Sequence, residues 1–170
     1  MEINIAAALK RIGEASAFTG ELKPEGESYL GRSLTFSEPI AVRGTYVFDG
    51  ESILVEGSVH ASLETVCSLC GEPMIDVIDY DFSERYEKAM KWAEEHETYA
   101  YEGERILLDE MLMDNLFLNL SMAPICRADC KGLCPICGAN RNVTDCGCQM
   151  PEADNPFAVL KQMTIKHKEV

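Results

Sequence analysis

Between residues 38 and 66 apolar and polar positions alternate with a period of two. Ile40, Val42, Tyr46 and Phe48 share one parity, and Ile53, Val55, Val59, Ala61 and Leu63 share the next. Such alternation marks strands with one buried and one wet face. Asp49-Gly50 lies between the runs, and that dipeptide favours a two-residue type I′ turn. The turn pairs Phe48 with Glu51, Tyr46 with Ile53 and Gly44 with Val55. Both apolar sets then fall on one face, as a side-chain period of two requires. A third strand is predicted from Met74 to about Tyr86, with Ile78, Tyr80 and Phe82 on one side.

The flanking pattern is less regular. Residues 1–12 suit a short helix carrying Ile3, Ile5 and Leu9. Gly, Pro and Glu punctuate residues 14–36, with short strands expected around Phe18 and Leu34. Lys88 to Glu104, which includes EEHETYAYEGE, reads as a solvated loop or a frayed helix. Leu108 to Met122 reads as a helix with Asp109 at its N-cap and Pro124 beyond its end. Met111, Leu112, Leu116 and Leu120 form its buried stripe. Met113, Phe117 and Leu118 make it apolar nearly all round, which places it in a core or at an interface. Asn155-Pro156-Phe157 opens a last helix, an N-cap followed by Pro. Phe157, Leu160 and Met163 lie on one side of that helix, and Lys161, Lys166 and Lys168 gather towards its end. The predicted fold is α+β. An antiparallel sheet with a buried helix fills residues 1–125, and a cysteine-rich segment ending in a helix, packed with the body as one unit, fills residues 126–170.

Composition changes this picture in two respects. A chain of 170 residues with 46% hydrophobic and 26% charged residues has the make-up of a globular protein. The formal net charge of −14 is unusual, and it is unevenly spread. Residues 1–125 carry 9 Lys/Arg against 24 Asp/Glu, whereas residues 126–170 carry 6 against 5. Nucleic-acid affinity rests mainly on cations meeting phosphates, so this balance disfavours tight direct RNA or DNA binding. A basic protein is the better electrostatic match. The N-terminus MEINIAAALKRIG lacks a basic signal-type region, and its apolar run is too short for a membrane span. A reducing cytoplasmic location is therefore expected, with no membrane partner.

Eight cysteines in such a compartment read as metal ligands before disulfides. Cys67-x2-Cys70-Gly71 and Cys134-x2-Cys137-Gly138 are two copies of a zinc knuckle. Two intervening residues let both sulfurs reach one tetrahedral ion at about 2.3 Å. The following Gly accepts a left-handed backbone. Cys134, Cys137, Cys146 and Cys148 lie close enough in sequence to close around one ion unaided. Cys67, Cys70, Cys126 and Cys130 would share a second. A rival pairing joins the two knuckles on one ion, as in a split zinc ribbon, and another leaves Cys126 and Cys130 as free thiols. Local pairing costs less loop-closure entropy and is preferred. The sites are expected to be structural, because a catalytic zinc keeps an open position beside a general base. No HExxH occurs, and His60, His96 and His167 have no ligand spacing. The CPIC run has the form of a thioredoxin motif but no surrounding βαβ unit. A zinc-releasing redox switch is the remaining minor alternative.

Several stretches together resemble one family. CSLCGEP after a hairpin, DNLFLNLSMAP, ICRADCKGLCPICGANRN followed by CGC, and the terminal NPFAVLKQM are similar to the YceD family, the large ribosomal RNA subunit accumulation proteins. The resemblance covers roughly residues 38 to 165, and the first 35 residues match nothing in it. It implies a role in accumulating large-subunit ribosomal RNA, with no catalytic residues and no small-molecule substrate. Some members lack the block corresponding to Cys134–Cys148 yet keep the first knuckle, which implies a separable second site. The function expected is non-enzymatic: binding of a precursor particle or a basic ribosomal protein. Its first rival is direct RNA binding through Arg127, Lys131, Arg141, Lys161, Lys166 and Lys168. An enzyme or redox switch is the second.

Overall fold

The alternating segments fold as paired strands in the computed structural model, which describes residues 1–24, 28, 29, 31–89 and 99–148. In chain order these are β1 (Glu2–Asn4), β2 (Ser16–Leu22), β3 (Ser28–Tyr29), β4 (Arg32–Ser33), β5 (Thr35–Phe36), β6 (Ile40–Phe48), β7 (Ile53–Val66), β8 (Pro73–Lys88), β9 (Tyr99–Tyr101) and β10 (Arg105–Leu107). Helix α1 (Asp109–Asn119) follows. The main sheet runs β2-β6-β7-β8-β9, and β5 joins β7 beyond the start of β6. Its pairings are antiparallel except that of β8 with β9. β1 pairs with β10, and β3 with β4.

The β6–β7 hairpin has the predicted faces but not the predicted register. Phe48 pairs with Ile53, Tyr46 with Val55, and Gly44 with Gly57. The cause is a four-residue loop organised by one side chain. Asp49 Oδ1 accepts the backbone N–H groups of Ser52 at 2.7 Å and Glu51 at 2.9 Å. Its Oδ2 accepts the Ser52 hydroxyl at 3.0 Å and the Arg85 guanidinium at 2.9 Å. The Ser52 and Glu51 amides, with Arg85, hold the Asp49 carboxyl well below the usual carboxylate range. The pairing shifts by two residues, so parity is kept and every side chain stays on its expected face.

On the inner face lie Val42, Tyr46, Val55, Val59, Ala61, Ile78, Tyr80, Phe82 and Tyr86, all buried. Helix α1 and the β1–β10 pair cover this face. Three of its tyrosines reach across the interface to backbone carbonyls. Tyr46 donates to Asn4 at 3.2 Å, Tyr80 to Leu112 at 2.9 Å, and Tyr86 to Leu107 at 3.1 Å. Burial raises the Tyr80 and Tyr86 phenols, which keeps both as donors. Met111, Leu112 and Leu116 of α1 are completely enclosed, each stabilising the fold by about 1.5–3 kcal/mol.

Four expectations are corrected. Residues 1–12 form β1 and a short 3-10 turn over Ala8–Lys10, not a helix, because Ile3 pairs with Ile106. Tyr99–Tyr101, expected in a solvated loop or frayed helix, extends the sheet beside Tyr86–Lys88. Asp109 is the first helical residue, not the cap, and its carboxylate meets the N-terminal ammonium of Met1. The helix stops at Asn119, earlier than predicted, and Leu118 stands 83% exposed. The predicted helix from Asn155 lies outside the described residues. Among the described residues no helix is long and apolar enough to cross a membrane.

Candidate metal centres

The first knuckle is the turn of the β7–β8 hairpin. β7 ends at Val66 and β8 begins at Pro73, so CSLCGE forms the connection. Gly71 N–H donates to Cys67 O at 2.8 Å, and Cys67 N–H to Glu72 O at 2.9 Å. The second knuckle repeats both bonds: Gly138 to Cys134 O at 2.8 Å, and Cys134 to Ala139 O at 2.8 Å. Gly71 and Gly138 both have φ of 73°, which an L side chain would strain. The same short sequence thus folds the same way twice, once on the sheet and once off it.

The chain after α1 docks on the first knuckle. Ser68 N–H donates to Pro124 O at 2.8 Å, and Leu133 N–H to Leu69 O at 2.9 Å. Gly132 fits closely there, since a Cβ on it would lie 3.0 Å from Leu69 O. This docking gathers the sulfurs of Cys67, Cys70, Cys126 and Cys130 within 4.8 Å of one another. Cys134, Cys137, Cys146 and Cys148 form a second group within the same limit. All eight predicted site cysteines are therefore brought together, in the two local sets and not as a split ribbon. Lys161, Lys166 and Lys168 lie outside the described residues, as do His96 and His167. His60 faces Asp79 at 2.7 Å on the outer side of the sheet.

The spacing of the sulfurs tests whether a metal fits. Four thiolates around zinc at about 2.3 Å stand about 3.8 Å apart at the corners of a tetrahedron. Cys67 and Cys130 are 3.9 Å apart, and Cys70 and Cys126 are 3.8 Å apart. An all-sulfur set of this size fits a closed tetrahedral ion. The surrounding amides favour thiolates. The Cys126 N–H, 3.3 Å from Cys67 Sγ, is the main cause of that thiol's fall to about 6, helped by the Cys70 and Leu69 amides. The amides of Cys137 and Ile136 bring Cys134 to about 6 as well. Cys126 is pushed up to about 12 by desolvation and by its cysteine neighbours, and Cys148 to about 12 by hydrogen bonds with Cys137 and Cys146. Each group therefore retains protons that a divalent cation would displace, so its metal affinity falls as pH falls.

Sequence reasoning missed the polar groups behind the sulfurs. The Asn142 side chain donates to Cys130 Sγ at 3.3 Å and accepts the Lys131 N–H at 2.9 Å. Asn140 donates to Glu72 Oε1 of the first knuckle at 3.1 Å. The available signal was the run GANRN, two amides at alternate positions between the ligands of one predicted site.

Comparison with known proteins bears on the same region. Residues 55–164 match the family described as "Large ribosomal RNA subunit accumulation protein YceD". Uncharacterized proteins of Mycobacterium bovis and Mycobacterium tuberculosis are 33% identical over 92 residues, 52% of this chain and 44% of theirs. The chloroplastic "Large ribosomal RNA subunit accumulation protein YCED homolog 1" of Arabidopsis thaliana is 34% identical over 59 residues, 35% of this chain and 18% of its own. The chain thus spans less than half the length of these curated relatives. No solved structure gives a significant match.

Proposed function

The chain belongs to the YceD family, and from that premise we propose that it is a non-enzymatic protein with two structural zinc ions that supports accumulation of large-subunit ribosomal RNA. It does so in the cytoplasm by binding a precursor particle or one of its basic proteins. In this reading residues 126–170 form a zinc-stapled segment packed with the body of residues 1–125. Each zinc takes four thiolates, and its coordination shell is closed to substrate.

The observation that carries the choice of partner is charge. Residues 1–125 hold 24 acids against 9 bases. The outer face of the sheet exposes Glu56, Glu64, Asp79 and Asp81 along β7 and β8. Each zinc held by four thiolates adds a formal charge of roughly −2. Of the basic residues near the clusters, Arg127 is bound by Asn142 at 2.8 Å and by Asp129 at 3.4 Å. Such a surface repels a phosphate backbone and attracts a basic protein.

The test has two arms. Depleting the protein in its host is expected to lower large-subunit ribosomal RNA relative to small-subunit RNA. The tagged protein is expected to keep its large-subunit protein partners after ribonuclease treatment. An unchanged RNA ratio removes the accumulation role. Loss of all partners on ribonuclease treatment, together with tight binding of naked ribosomal RNA that weakens steeply as salt rises, replaces the protein-partner reading with the direct RNA module. A Lys161→Glu, Lys166→Glu, Lys168→Glu variant would then lose that RNA binding.

A further inference from the structure

The loop of the second cysteine group reaches the first through two side chains: Asn140 donates to Glu72, and Asn142 donates to a sulfur. Asn142 lies in the loop between Cys137 and Cys146, which belongs to the second group. A turn in which Val143 and Thr144 donate to Asn140 O, at 3.1 and 3.0 Å, shapes this loop, and Arg141 N–H is tied to Gly132 O at 3.0 Å. From there the Asn142 amide reaches the first group. Its Oδ1 accepts the Lys131 N–H at 2.9 Å and an Arg127 Nη2 hydrogen at 2.8 Å. Its Nδ2 donates to Cys130 Sγ at 3.3 Å and to Asn140 Oδ1 at 2.9 Å.

This arrangement satisfies the amide completely, with two donors and two acceptor positions in use. It also fixes the amide's orientation. Lys131 N–H and the Arg127 guanidinium can only donate, so the oxygen must face them, and the nitrogen must then face the sulfur. The N–H to Cys130 supports that sulfur as a thiolate, and a hydrogen bond to an ionised acceptor is stronger than a neutral one. In the same grip, Asn142 spans residues 127–131, the segment that carries the last sulfur of the first group.

We propose that Asn142 is a positioning residue that couples the two centres, so that metal in the second group holds the loop that stabilises metal in the first. The inference rests on reading both groups as metal centres. Closing the second group around an ion pins both ends of the loop that presents Asn142. With that ion gone the loop is tethered by fewer bonds, and Cys130 loses its donor. Coupling of this kind is reciprocal, so loosening the first group also weakens the second.

The experiment uses the full chain loaded with zinc and measures release to a coloured chelator, site by site. The first-group zinc of Asn142→Ala is expected to leave about 10–100-fold faster than in the unaltered protein, the usual effect of removing a group behind a metal ligand. Asn142→Asp keeps the acceptor for Lys131 but removes the N–H to sulfur. It is expected to release zinc at least as fast as Asn142→Ala while keeping the unaltered protein's far-ultraviolet spectrum. In the cobalt-loaded protein both changes are expected to shift the sulfur-to-cobalt band of the first centre, which a purely structural role would leave in place. Cys146→Ser with Cys148→Ser removes the second metal and is expected to speed release from the first. Adding Asn142→Ala to that background is then expected to have little further effect. Unchanged release in Asn142→Ala, or effects that multiply in the combined variant, would overturn the coupling while leaving two metal centres. An unaltered protein that binds no zinc would overturn the metal reading and the coupling with it.

Discussion

Replacing Cys67 and Cys70 with Ser is expected to release one zinc and to destabilise the whole chain. These residues form the turn between β7 and β8, while their partners Cys126 and Cys130 follow α1. An ion shared by them closes a loop of over fifty residues that includes all of β8, β9, β10 and α1. If the centre acts as a cross-link, the chain entropy it removes from the unfolded state is worth about 4 kcal/mol. Ser68, Leu69 and Gly132 pack at the same junction, so their contacts loosen with it. Cys146→Ser with Cys148→Ser opens a loop confined to residues 134–148. That double change is expected to lose one zinc and to lower the sheet's unfolding midpoint much less, only as far as it loosens the first centre. Urea unfolding followed by tyrosine fluorescence compares the two. Equal losses of stability would contradict the assignment of Cys67 and Cys70 to the centre that ties sheet to chain.

Gly57→Val is expected to cost about 3 kcal/mol or more, although Gly57 lies in a strand where Val is ordinarily favoured. Gly57 pairs directly with Gly44 across β6 and β7. A Cβ on Gly57 would stand 2.3 Å from the Arg43 carbonyl oxygen and 2.8 Å from Phe82 Cζ. One on Gly44 would stand 2.2 Å from the Glu56 oxygen and 3.0 Å from Phe18 Cε1. The two rings thus lie over a patch of bare backbone and fill the space that side chains would occupy. Relief requires moving backbone, since a carbonyl oxygen cannot rotate away. Denaturant unfolding of Gly57→Ala and Gly57→Val measures the cost. A loss below about 0.5 kcal/mol for both would show that the strands separate freely at this point.

The parts of the fold visible in the sequence were those set by neighbours. Alternation from Ile40 to Leu63 assigned each residue its face, because burial of one face leaves only one parity available. The register slipped by two because Asp49-Gly50 alone suggests a tight turn. The actual loop depends on Ser52 and on Arg85 from the next strand. Pairings that join distant segments left almost no local mark. Ile3 reads as the start of a helix until Ile106 supplies its partner. Tyr99 and Tyr101 read as surface residues until β8 lies beside them. Asp109 matched an N-cap by residue type, but the Met1 ammonium claims its carboxylate instead.

The cysteine groups were legible for the opposite reason. Knuckles are fixed by spacing, and the closure from Cys134 to Cys148 is short, so these two sets were the preferred pairing, and the sulfurs within each set lie within 4.8 Å of one another. What spacing could not reveal was the layer behind the sulfurs. Asn140 and Asn142 matter through a turn that carries them from one group to the other, and nothing in residue order announces that direction.

Two groups of four cysteine sulfurs are each expected to hold one zinc ion in this chain. Elemental analysis of protein purified under reducing conditions tests this directly, with sulfur as the internal standard. The chain contains 8 Cys and 8 Met, so two zinc ions correspond to one zinc for every eight sulfur atoms. That ratio is the predicted result. Half of it would leave a single centre, and a ratio near zero would show that the cysteines hold no zinc.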